Sequence, residues 1–64
     1  MEYSNIRVRE IIAEWIHSER DRAIMERRLC DEVKFERLAE EFDMSDKQVK
    51  RIVKRLSVIV FRHY

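Results

Sequence analysis

The sequence predicts an all-α fold: a single small domain of four helices. Three observations carry this expectation. Glycine and proline are both absent from the 64 residues, so the chain lacks the two strongest breakers of helix. Charged residues make up 42% of it, and the good helix formers Glu, Arg, Lys, Ala, Leu and Met dominate. Apolar residues recur three and four apart along most of its length.

The periodicity places the helices at about residues 5–17, 19–31, 35–42 and 46–62 within one domain, 1–64. Ser4 can cap the first. Ile6, Val8, Ile11, Ile12, Trp15 and Ile16 give it a broad apolar stripe, with Trp15 expected in the core. His17 follows as an end or surface residue. Ser18, with Asp21 three residues on, starts the second helix. Ala23, Ile24 and Leu29 lie along it, and Met25, Leu29 and Val33 are four apart. Its Arg20, Arg22, Arg27 and Arg28 are expected mainly to pair with Glu19, Asp21, Glu26 and Glu32, with contact to a polyanion as the alternative. Cys30 reads as a small core residue or a half-exposed thiol. Residues 31–34 form a short, poorly marked turn.

The third helix carries Phe35, Leu38, Ala39 and Phe42 at helical spacing. The fourth begins after Ser45 and sets Val49, Ile52, Val53 and Leu56 on one face. Ser45 and Gln48 have the form of a capping box, and Asp46 suits the positive end of the helix dipole. Small Ala39 falls where two crossing helices approach, while Phe42 and Met44 flank the corner. This is the layout of a helix-turn-helix, whose second helix enters the major groove of DNA. Asp46, Lys47, Gln48, Lys50, Arg51 and Lys54 point outward on that helix.

The net charge of +1 conceals a strong polarity. Residues 1–46 hold all 13 acids against eight Arg/Lys, a net −5; residues 47–64 hold six Arg/Lys and no acid, a net +6. Such a split orients a molecule toward a polyanion. Cations also favour helix C-termini, but Lys47 and Lys50 lie near an N-terminus, where that preference does not apply.

The tail is apolar. Leu56, Ile59, Val60 and His63 continue the inward face, whereas Val58 and Phe61 fall on the basic side. Either the tail folds over, or it forms a terminal strand from the β-branched run 58–60, or it packs on another chain. The last option predicts a homodimer through Val58, Ile59, Phe61 and Tyr64.

Several classes are disfavoured. No glycine-rich loop can cradle a nucleotide phosphate. One Cys and two ungrouped His offer no metal set, and no cofactor is expected. The serines serve better as caps than as nucleophiles, so no enzyme is expected. No run approaches the roughly 20 apolar residues of a membrane span, and no signal-peptide pattern opens the chain. With a lone thiol, this predicts a cytoplasmic protein.

From Arg22 onward the chain resembles region four, the promoter-reading part, of bacterial sigma factors. The matching segments are IMERRL at 24–29, FERLAEEFDMS at 35–45 and QVKRIVKRL at 48–56. Less closely it resembles the DNA-binding domain of LuxR-type response regulators, through Val49 and Lys50. The resemblance implies a bacterial or phage transcription regulator of four helices. It places Asp46, Lys47, Gln48, Lys50 and Arg51 at or near base edges, with Lys54 and Arg55 on the DNA backbone and Ser45 also in the DNA-binding set, and makes RNA polymerase a candidate partner.

The chain departs from that family at three positions. Asp43 stands where the corner usually has Gly, Lys34 where a Ser or Thr cap is usual, and Lys47 where an acid is common. The family's promoter element is therefore not expected, and 64 residues leave no room for a promoter-melting domain. The competing expectation is a protein-interaction or phage packaging module built on the same frame.

Overall fold

In a computed structural model the described residues are 4–64. They form four α-helices and no strand: α1 (Asn5–Trp15), α2 (Glu19–Leu29), α3 (Phe35–Glu41) and α4 (Asp46–His63). Helices α2 and α4 each pack against the other three. The body measures 28 × 24 × 16 Å.

Three of the four helix starts follow one rule. Ser4, Ser18 and Ser45 adopt extended backbone, and their hydroxyls accept from the N–H of Arg7, Asp21 and Gln48, three residues on. At Ser45 the box is complete, because the Gln48 side chain also accepts from the Ser45 N–H at 3.1 Å. Lys34 has the same extended backbone but no side-chain cap.

The corner between α3 and α4 is a Schellman closure. The Met44 N–H donates to the Ala39 carbonyl at 2.9 Å, and the Asp43 N–H to that of Glu40. This requires a left-handed residue, and Asp43 supplies it at φ 53° in place of glycine. A second left-handed residue, Glu32 at φ 56°, shapes the turn between α2 and α3. There the Val33 N–H reaches back to the Arg27 carbonyl.

The core joins one face of every helix: Val8, Ile11 and Ile12 from α1, Ile24 and Met25 from α2, Leu38 and Ala39 from α3, and Val49, Ile52, Val53, Leu56 and Val60 from α4. The α4 positions keep the three-and-four spacing of an amphipathic helix through Val60, so the tail is neither a strand nor folded over.

The first helix corrects two expectations. It ends at Trp15, because Ile16 is extended (φ −112°) and turns inward to 3% exposure. Ile16 thus takes the core place expected of Trp15, which is 44% exposed and stacks face to face on His63 with ring centroids 3.8 Å apart. Ile6 is 73% exposed, on the outer side of the first turn.

The arginines of α2 are also placed otherwise than helical spacing suggested. Arg22 donates to the carbonyls of Ile16 and Ala13, closing the end of α1. Arg28 donates to the Val33 carbonyl at 3.0 Å. Arg27 reaches across to α3 and binds the Glu41 carboxylate through two nitrogens, at 3.1 and 2.6 Å. That bond holds the Glu41 carboxyl below its ordinary range and raises the guanidinium. Among these four, helical spacing holds only for Arg27 with Asp31, four residues on at 3.3 Å, while Arg20 pairs with its immediate neighbour Asp21.

Candidate nucleic-acid interface

The outward face of α4 begins at the capping box and carries Lys47, Lys50, Arg51 and Lys54, all exposed. None forms an ion pair with a described residue. Lys50 does lie near the Phe35 ring, its Nζ 5.8 Å from the centroid.

The contrast with the rest of the chain is sharp. Arg7, Arg9, Arg20, Arg27 and Arg37 all pair with acids, and Arg22 and Arg28 bond to carbonyls. Ahead of α4 only Lys34 is left without such an engagement among the described residues. Within α4 only Arg55 is ion-paired, through Asp21 at 3.8 Å.

The fold assigns the remaining expected site residues as follows. Ser45 and Gln48 are exposed but occupied with each other. Because the Gln48 Oε1 is committed to the cap, a two-point contact to adenine would have to break the box. Asp46 occupies the first turn of α4, at the positive end of its dipole. Arg55 leans toward α2, where Asp21 is 7% exposed and also accepts from Arg20 at 3.3 Å. Its side chain is nonetheless 67% exposed.

The far end of α4 is apolar and outward-facing. Val58 is 56% exposed, and Phe61 and Tyr64 are also exposed; Ile59 is half-buried against the core. The Tyr64 hydroxyl accepts from the Ser4 N–H at 2.8 Å, and Arg7 donates to the His63 carbonyl at 3.2 Å. These bonds tie the start of α1 to the end of α4, so the tail is a fixed surface.

Among the described residues no group of three or more His, Cys, Asp or Glu is arranged to hold a metal ion. No helix there is long and apolar enough to cross a membrane. Cys30 is half-buried 3.9 Å from the Asn5 carbonyl, and burial pushes its thiol pKa up, away from the reactive thiolate.

Sequence reasoning gave Arg28 polyanion contact only as the alternative and read Lys34 only as a missing cap, yet both line one cleft with Lys50 and Phe35. The available signal was Lys34 itself, a cation at a position that favours a short oxygen-bearing side chain. Comparison of the chain with protein-family models, curated proteins and solved structures finds no match.

Proposed function

We propose that the protein is a sequence-reading double-stranded DNA-binding transcription regulator that lays α4 in the major groove and acts by binding, without bond-making. The observation that carries this reading is the segregation of cations. Every arginine ahead of α4 is engaged within the molecule, while Lys47, Lys50, Arg51 and Lys54 stand on one helix face without an acid partner among the described residues. An intramolecular role would have paired them; a row of phosphates supplies the missing counter-charge. Lys47, Lys50 and Arg51 are within the first two turns of α4, where side chains can reach guanine acceptors. Lys54 and the exposed Arg55 suit phosphates further along.

Four to six such contacts give log affinity a slope of roughly −4 to −5 against log salt. One small unit reads few bases, so the reading includes a homodimer on half-sites about one helical turn apart, joined through the apolar end of α4. The resemblance to sigma region four adds RNA polymerase as a partner for the acidic side.

In vitro selection on random duplex DNA tests sequence preference and symmetry together. Enriched sites with two-fold symmetry are expected. Lys50→Ala with Arg51→Ala should abolish binding while leaving helix content intact; undiminished binding refutes the assignment of α4.

The exposed Val58 and Phe61 favour a second reading, a protein-docking or phage packaging module that holds DNA without sequence preference. Equal affinity for selected and random duplexes at fixed salt would select it.

A further inference from the structure

The cleft between α2, α3 and α4 is lined by Arg28, Lys34, Phe35, Glu36, Asp46 and Lys50, with a volume of about 250 Å³. The Phe35 ring is its one aromatic wall. The Arg28 guanidinium carbon lies 4.3 Å from the ring centroid and the Lys50 Nζ 5.8 Å from it, so one aromatic ring gathers two cations from different helices. Arg28 is held there by its bond to the Val33 carbonyl, which occupies Nη1 and leaves Nε and Nη2 without a hydrogen-bond partner among the described residues. Lys34 adds a third cation from the turn before α3. Glu36 and Asp46 share the lining, yet neither comes within ion-pair distance of any of the three.

We propose that this cleft seats one backbone phosphodiester of the bound DNA, held by Arg28, Lys34 and Lys50. The inference rests on the DNA-binding reading of α4 and extends the interface beyond that helix. Three cations against two carboxylates leave a lining of net +1. That balance suits the single charge of a phosphodiester better than the larger charge of a free phosphate or a polyphosphate. Lys50 belongs both to the cleft and to the outward face of α4, so the two surfaces are continuous. The sequence also places a lysine where every other helix start has a serine cap, forgoing a hydrogen bond in order to put charge there.

The test is fluorescence anisotropy of the full chain on a labelled duplex over a series of salt concentrations. Lys34→Gln breaks no side-chain hydrogen bond or ion pair with a described residue, so the fold is expected to survive it; Lys34→Gln with Arg28→Gln removes two of the three cations. The double variant should bind about tenfold more weakly near 0.1 M salt, and its salt slope should fall by about one unit, the value of one phosphate. The single variant should lie between it and the wild type. Arg9→Gln removes the same unit charge from α1 and should leave the slope unchanged. Wild type that binds with the same slope as both cleft variants overturns this inference and leaves the α4 reading standing. Saturable binding of inorganic phosphate in the cleft, with the duplex slope unchanged, also overturns it. Wild type that fails to bind any duplex overturns the α4 reading and the cleft with it.

Discussion

Replacing Lys34 by serine should make the protein more stable and a poorer DNA binder at once. The four helix starts form an internal control. Lys34 has φ −68° and ψ 152°, close to the −79° and 156° of Ser45, and Ser45 holds the Gln48 N–H at 3.2 Å. A serine at 34 would therefore meet the Arg37 N–H without moving the backbone. A capping hydroxyl is worth about 1 kcal/mol over a non-capping side chain. Removing a cation from the positive end of α3 adds a few tenths of a kcal/mol.

The unfolding entropy of a chain of 64 residues is about 0.13 kcal/mol/K, so 1 kcal/mol corresponds to about 7 °C in Tm. Thermal unfolding followed by far-ultraviolet circular dichroism measures the gain, and duplex binding measures the loss. An unchanged or lower Tm would refute the capping argument. A raised Tm with unaltered DNA affinity would mean that Lys34 carries no functional charge.

Three further outcomes follow from the same structure. Glu32→Gly should raise the urea midpoint by an amount equivalent to about 0.5 kcal/mol, since it relieves a left-handed non-glycine residue at some cost in unfolded-state entropy; a lower midpoint would contradict this. Leu38→Ala empties a fully buried site at a cost of about 3 kcal/mol, and a core of this size supplies only about 3–5 kcal/mol. That leaves roughly 0–2 kcal/mol, so the Tm should fall by about 20 °C, and a cooperative melt near the wild-type Tm would count against the core assignment. Because Arg27 lowers the Glu41 carboxyl, their bond stabilises fully above the ordinary carboxylate value of about 4.3 and is lost as pH falls through the depressed one. Arg27→Gln should flatten the decline in stability below that value; acid unfolding curves of the two proteins would show it.

The amphipathic core of α4 was legible because its inward positions obey one periodicity over the whole helix. The same arithmetic left Val58 and Phe61 outside, where they are. The serine caps were equally legible, since a cap is a local bond spanning three residues. The candidate site was legible only in part. Lys47, Lys50, Arg51 and Lys54 stood out as a charge block on a helix face, but the block could not reveal that Arg55 leans on Asp21 or that Gln48 has spent its oxygen on the cap. Nor could it show that Arg28 meets Lys50 over one ring.

The amino-acid sequence by itself determined the helical class, the starts of the helices and the concentration of positive charge in the last of them. These depend on propensity, spacing and contacts within a few residues, all of which travel along the chain. Tertiary structure decided which cations are spoken for. It sent Arg22 to the end of α1 and Arg27 to Glu41 on α3, and it turned Ile16 inward in place of Trp15. Long arginine side chains reach across helices, and a helix end can exchange one apolar neighbour for the next, so partners chosen in space do not follow from neighbours in sequence.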